Sequence, residues 1–497
     1  MVKQNNLEKR TAIVIGAGFA GLSAACHLAK EGFSVTILEK NNQAGGRARK
    51  FITNGFTFDM GPSWYWMPDV FESFFNSFGK KVSDYYQLER LSPSYRVFFS
   101  DNDHVDVPAD LDGLYNLFEA TEKGAGNKLR DFLKEAAYKY DVGINDLVYK
   151  PGESISEFID KRVLSGVFRL HIFQSFHDYV RKYFSNPKLI QLLEFPVLFL
   201  GAQPKDIPAL YSLMNYADMS LGTWYPKGGM HKIVEGMVSL AKELGVQIKL
   251  SETVSKINTE SRRVASVTTD KGSYVCDVLV GGADYHHVEQ HLLEKDSRSY
   301  TPEYWDKRKL APSCVIFYLG VNKQLDNLLH HNLFFDTNFD IHSKDIYDKP
   351  KWPDNPLFYV SAPSKTDSTV APEGCENLFI LIPVAPGLID TVEVRESLFE
   401  KVIARMEKKT GERIKENIVY RKDYAFTDFV KDYNAFKGNA YGLSNTLWQT
   451  ANLKPKLKSK KLKNLYFTGQ LTVPGPGVPP ALISGKVAAT QIIKDFN

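Results

Sequence analysis

Residues Thr11–Arg47 read TAIVIGAGFAGLSAACHLAKEGFSVTILEKNNQAGGR, and their spacing decides the fold. Thr11–Ile15 is a short, β-branched run of the kind that forms a parallel strand buried on both faces. It passes straight into Gly16, Gly18 and Gly21, followed by a helix-forming stretch, Leu22–Lys30. Each glycine answers a separate need: Gly16 the tight turn, Gly18 the close approach of backbone to a pyrophosphate, Gly21 the packing of helix on strand. The helix N-terminus then turns free N–H groups and the positive end of its dipole toward the phosphates. A second strand, Ser34–Leu38, ends in Glu39, 23 positions after Gly16 and close to the spacing at which an acid reaches a ribose hydroxyl. A glycine-rich turn alone is a weak signal. Strand, glycines, helix, strand and terminal acid in this order specify a dinucleotide site.

The loop after the second strand carries Gly45, Gly46 and Arg47. A nicotinamide cofactor does not need a second glycine pair there, whereas a cofactor running on past its pyrophosphate toward a flavin ring does. Glu39 followed by Gly45, Gly46 and Arg47 resembles the second motif of the flavoprotein group containing amine oxidases, protoporphyrinogen oxidase and carotenoid desaturases. The resemblance implies FAD, with the glycine pair and arginine against its pyrophosphate and ribityl chain.

At 497 residues the chain is too long for one core and predicts two or three domains. Hydrophobic residues at 43% and charged residues at 24% exclude disordered and fibrous classes. A net charge of +4 and a pI near 8.5 are too weak to argue for nucleic acid, although they suit an anionic membrane surface. Cys26, Cys276, Cys314 and Cys375 are far apart and form no CxxC pair, so neither a disulfide framework nor a metal site is predicted, and a reducing cytoplasm fits. Thr11–Ala29 contains no Asp, Glu, Lys or Arg, His27 being its one basic side chain, and imitates a signal sequence or membrane span, but the glycine spacing accounts for it better. The uncharged run 464–484 is broken by Pro474, Pro476, Pro479 and Pro480, which rules out a continuous helix. No integral membrane segment is predicted.

Farther along, Asp59, Gly61 and Pro62 form a turn followed by Trp64, Tyr65 and Trp66, readable as core aromatics or, by resemblance to carotenoid desaturases, as a turn beside the flavin ring. Tyr95–Pro108 predicts a hairpin and Leu111–Gly143 solvated amphipathic helix. ISEFIDKRVL (155–164), GVFRLHIFQSFHDYVRKYF (166–184) and KLIQLLEFPVLFLGAQP (188–204) predict successive helices. In them Phe168, Phe173, Phe176, Tyr179, Tyr183, Phe184, Phe195 and Phe199 alternate with Arg169, Arg181, Lys182 and Lys188. That mixture reads first as core and second as a surface dipping into a bilayer interface. Residues 222–229, GTWYPKGG, resemble the segment with which carotenoid desaturases approach the flavin, which places Gly228 there. In related flavoproteins a valine at the position of Val254 meets the adenine through its backbone. Residues 300–430 predict an antiparallel sheet with covering helices; His330 and His331 within it read as surface histidines. Lys454–Lys463 is a basic run, read as a solvated loop or a contact for anionic lipid.

The chain closes with strand Leu465–Thr468, Gly469, PGPGVPP and the helix Ala481–Ile493. This resembles the C-terminal signature of bacterial carotenoid desaturases of the phytoene desaturase type, and implies that Gly469, Gly475, Gly477 and Val478 lie at the flavin edge, where the helix N-terminus faces the reduced ring. One departure is that many phytoene desaturases have a Phe-His pair where this chain has Phe195 and Pro196.

The expectation is therefore an α/β protein. A Rossmann-like FAD-binding domain is assembled from 1–92, 222–300 and 435–497. An α+β substrate domain, 93–221 and 301–434, is inserted into it, with a helical, membrane-associating part around 155–215. The resemblance implies an FAD-dependent carotenoid desaturase that removes hydride and proton from a polyene. The substrate is phytoene-derived, or a hydroxylated or monocyclic carotenoid undergoing 3,4-desaturation. Quinone or oxygen is the electron acceptor, and the protein sits on the inner face of the cell membrane. Asp59 is the candidate catalytic side chain. A carotenoid isomerase, an amine oxidase and a non-enzymatic GDI-like lipid-binding protein are the alternatives, and oligomeric state stays open.

Overall fold

A computed structural model describes residues 9–101, 103–154, 157, 169–198 and 201–496. The predicted helix 155–164, Phe168 and Phe199 lie outside the described residues, Glu157 apart. The opening strand Thr11–Ile15 (β1) is the middle of a five-stranded parallel sheet. Ser34–Leu38 (β2) and Gln247–Lys249 (β3) lie on one side, Val278–Gly281 (β4) and Leu465–Phe467 (β5) on the other, in the order β5-β4-β1-β2-β3. All four residues of β4 and all three of β5 are buried, as expected of strands covered on both faces. Each buried valine, leucine or isoleucine contributes roughly 1.5–3 kcal/mol, which is why the uncharged N-terminal run is core.

Helix Phe19–Lys30 (α1) packs on one face of this sheet beside His231–Glu243 (α2) and the terminal helix Val478–Phe496 (α3). The contact between α1 and α3 is close enough that a Cβ at Gly485 would stand 2.3 Å from the Ala20 carbonyl oxygen. The Ser23 hydroxyl donates to the Leu482 carbonyl at 2.7 Å, so the first and last helices are bonded as well as packed. A small antiparallel sheet, Val254–Glu260, Arg263–Thr269 and Ser273–Val275, flanks the parallel one.

The second body is a seven-stranded sheet in the order Ile418–Tyr424, Ser313–Val321, Glu376–Val384, Phe358–Ser361, His331–Phe334, Tyr95–Ser100 and Asp103–Val107. The strands drawn from 300–430 pair antiparallel with one another, as expected, and the sheet becomes mixed where His331–Phe334 runs parallel to Tyr95–Ser100. The pair joins strands far apart in sequence, so no local turn chemistry announces it. The hairpin Tyr95–Ser100 with Asp103–Val107 forms as expected and supplies one edge.

Helices Leu111–Thr121 and Ala125–Tyr140 are solvated on one face only, with Phe118, Leu129 and Phe132 fully buried on the other. Phe176, Tyr179, Phe184 and Phe195 are core, whereas Phe173 is 84% exposed. Pro196 lies inside helix Pro187–Leu198, and Glu194 there pairs with Arg181. Among the described residues no helix is long and apolar enough to cross a membrane.

Candidate active site: a cleft between the chain ends and an aromatic wall

The opening motif folds into one hydrogen-bonded knot. Gly16 N–H donates to the Leu38 carbonyl (2.8 Å), Gly45 N–H to the Ala17 carbonyl (2.8 Å), and Ala17 N–H to Glu39 Oε2 (2.9 Å). Glu39 Oε1 accepts from the Asn41 backbone and side chain, both at 2.9 Å. The acid predicted to meet a ribose thus also locks the end of β2 to the glycine turn. Ser251–Val254 runs alongside, Glu252 N–H donating to the Glu39 carbonyl at 2.8 Å, and Val254 is buried in the same cluster as Ile15 and Leu38.

Among the described residues a Cβ at Gly18 would meet nothing within 4 Å, and one at Gly46 would lie 3.3 Å from Gly18 Cα. The two glycines therefore border a common space. Arg47 threads beneath it, its Nη2 donating to the Asn439 carbonyl at 3.0 Å and its guanidinium lying 5.2 Å from the Tyr433 ring centre. Among the described residues its Nε is buried without a hydrogen-bond partner. Gly61 is required where the Arg47 carbonyl passes, 2.6 Å from the position of its Cβ; Pro62 follows in the same turn.

The tail of the chain reaches this cleft. Asn439 Oδ1 accepts from Gln470 Nε2 at 2.7 Å, so one asparagine links Arg47 near the start to the closing motif near the end. Gly469 N–H donates to Ser484 Oγ at 3.0 Å, and the Cβ position of Gly469 lies 3.9 Å from Ala20 Cβ. Gly477 accepts from Ala481 N–H at 3.0 Å, and Val478 begins α3. Open space at Gly18, an unpaired buried guanidinium N–H at Arg47 and convergent glycines fit FAD.

Three residues beyond Gly61, Trp64 begins an aromatic wall. Trp64 stacks on His331 at 4.1 Å with an interplanar angle of 16°, and meets Tyr95 and Phe195, each at 5.4 Å. His331 Nδ1 is 2.7 Å from the Tyr359 hydroxyl. Both His330 and His331 are buried, which corrects their reading as surface residues: alternation cannot show that a strand is central. Behind the wall lies the buried Asp218, whose Oδ2 accepts from the Tyr95 hydroxyl at 2.8 Å and whose Oδ1 lies 3.4 Å from Thr223 Oγ1. Thr223 Oγ1 accepts from Trp66 Nε1 at 2.8 Å.

The model of the flavin containing amine oxidoreductase family matches residues 19–493. The chain belongs to that family. It is an FAD-dependent oxidoreductase, and the expected enzyme class and cofactor are borne out. Among curated relatives, the chain is 43% identical to a carotenoid 3,4-desaturase of Haloarcula japonica, covering 99% of this chain and all of the relative. It is 34% identical to a 4,4'-diapophytoene desaturase of Staphylococcus haemolyticus, covering 97% and 99%, and 32% identical to a zeta-carotene-forming phytoene desaturase of Myxococcus xanthus, covering 97% and 94%. An oxidoreductase from Methanosarcina mazei has the same fold at a TM-score of 0.64 and 16% identity, covering 97% of this chain and 100% of that one. A putrescine oxidase does so at 0.61 and 13%, covering 98% and 99%.

Within this flavin oxidoreductase two predicted residues have other work in the fold. Asp59 accepts from Met230 N–H (2.7 Å) and His231 N–H (2.9 Å), capping the start of α2. Removal from water pushes its carboxyl up to about 6 despite those bonds. With both oxygens bound to backbone, its geometry is that of a cap. Gly228 N–H is taken by Asp367 Oδ2 at 2.6 Å.

Nothing in the sequence singles out Asp218 or Asn439. Neither sits in a motif; a lone acid in an apolar stretch is the only trace Asp218 leaves. Burial pushes the Asp218 carboxyl up to about 7, with the Tyr95 and Thr223 bonds opposing. A raised folded pKa means that the folded state binds its proton more tightly than the unfolded chain, so stability is lost as pH rises toward 7. Asp218→Asn keeps an acceptor for Tyr95 and removes that loss. Relative to wild type it gains a few kcal/mol on going from pH 5 to pH 8. Thermal melts at the two pH values check this, and a constant difference between variant and wild type refutes it.

Proposed function

We propose that the protein is a carotenoid desaturase that adds a conjugated double bond by 3,4-desaturation of a phytoene-derived, hydroxylated or monocyclic carotenoid. The full-length match to the Haloarcula japonica carotenoid 3,4-desaturase carries the reading, and the aromatic wall is chemically consistent with it. The bound flavin supplies a two-electron acceptor for hydride. The chain's own residues do the rest. The Gly16–Gly21 turn and the start of α1 hold the pyrophosphate, Glu39 a ribose, Val254 the adenine, and Arg47 with Gly45 and Gly46 the stretch toward the ring. Trp64, Trp66, Tyr95 and Phe195 present apolar faces that align a polyene and keep water out. Asp218, through the Tyr95 hydroxyl, takes up the proton lost from the neighbouring carbon; its carboxyl is raised to about 7, near the pH at which a base works best.

Reoxidation falls to a membrane quinone or to oxygen, with the protein attached peripherally at the inner face of the cell membrane. Supporting peripheral contact is Phe173, 84% exposed between Arg169 and Lys182. The test is expression in cells loaded in turn with phytoene, a hydroxylated acyclic carotenoid and a monocyclic carotenoid. A red shift of the visible bands, one double bond per step, is expected with at least one of them. A yellow holoenzyme that leaves every carotenoid unshifted refutes the assignment.

A further inference from the structure

Lys454 opens the basic run read above as a solvated loop, and the structure corrects that reading. Lys456 and Lys458 do reach outward, to the Gly152 carbonyl and to Asp495. Lys454 instead is 2% exposed. Its ammonium donates to Asn445 Oδ1 at 2.8 Å, and among the described residues no carboxylate pairs with it. A buried ammonium with one neutral partner is expensive, since desolvation is not offset by an opposite charge. Burial alone lowers its pKa to about 7.

Its position indicates what that charge is for. A Cβ at Gly475 would stand 3.2 Å from Lys454 Nζ and 3.0 Å from Asn445 Oδ1, so the closing PGPG loop lies directly on the lysine–asparagine pair. The Thr472 hydroxyl donates to the Pro455 carbonyl at 2.6 Å and fixes loop and lysine together. Hydride transfer delivers one proton and two electrons to the isoalloxazine ring, leaving one net negative charge spread over its N1–C2 edge. We propose that Lys454 is the counter-cation of the reduced flavin ring, held in place by Asn445 and by the absence of a side chain at Gly475. This rests on the reading of the closing loop as the flavin's edge. The cation then stabilises the charged product of each turnover more than its neutral precursor.

Holoenzyme carrying Lys454→Met tests this, because methionine fills the same volume without needing a partner. FAD content is expected to match wild type. Sulfite, which adds to the ring as an anion, is expected to bind about tenfold more weakly, a modest value for a unit charge a few ångströms away. The two-electron potential is expected to fall by about 30 mV, the same tenfold converted. Lys454→Arg should restore both. Full FAD content with unchanged sulfite affinity and potential overturns the proposal. So does a folded Lys454→Met that loses FAD, which would put the charge at the pyrophosphate. Wild type supplies a readout independent of any variant: a flavin potential below that of free FAD overturns the assignment. If Gly18→Val retains flavin, the cleft itself is misplaced; if it loses flavin while Lys454→Met is silent, only the lysine's role fails.

Discussion

Gly18→Val is expected to give a folded, colourless protein. Gly18 has φ −76°, which valine adopts without strain, and a Cβ there meets nothing within 4 Å among the described residues. The polypeptide therefore has no reason to unfold. The new methyl groups instead occupy the space bordered by Gly46, where backbone must approach the pyrophosphate. Displacing that contact costs a few kcal/mol, so FAD affinity should fall by about a hundredfold or more, and turnover with it. Far-UV circular dichroism and the flavin absorbance of the purified protein check both halves. Normal flavin content in a folded variant removes Gly18 from the cofactor site.

Gly21→Ala, three residues on, should have the opposite outcome. Its Cβ would stand 2.1 Å from the Gly16 carbonyl oxygen, a backbone atom that cannot swing aside. Relief requires α1 to move off β1, and α1 is locked to α3 by Gly485 and Ser23. A destabilisation above roughly 3 kcal/mol is expected, seen as insoluble protein or as a melting temperature several degrees lower. A soluble variant melting like wild type would show that helix and strand have slack that the structure denies them. Two glycines of one motif thus separate: one keeps room for the ligand, the other keeps the fold.

How far such features can be read from sequence depends on how local their causes are. The order β1, α1, β2, Glu39 is fixed by contacts within a few dozen residues, and it folds as read. Arg47 beneath the cleft follows from the motif, but its tie to Gln470 through Asn439 does not, because the two bonds span opposite ends of the chain. The parallel pairing of His331–Phe334 with Tyr95–Ser100 is equally non-local, and so is the burial of the two histidines, His331 stacked on Trp64 and His330 set against Tyr225. Lys454 escapes sequence analysis for a related reason. A run of lysines is normally hydrated, and only the fold reveals which member is drawn inside. Asp59 marks a further limit: an acid in a family turn invites a chemical role, whereas its neighbours use it to cap a helix.

The bond between the first helix and the last has a consequence for how the enzyme is made. Until the final strand and α3 have left the ribosome, β4 lacks its neighbour, α1 lacks its cover and Arg47 lacks its link to Gln470. The flavin therefore has no finished berth during translation. Cofactor loading is expected to follow synthesis of β5 and α3, and a chain cut before Leu465 is expected to yield apoprotein however intact its opening motif.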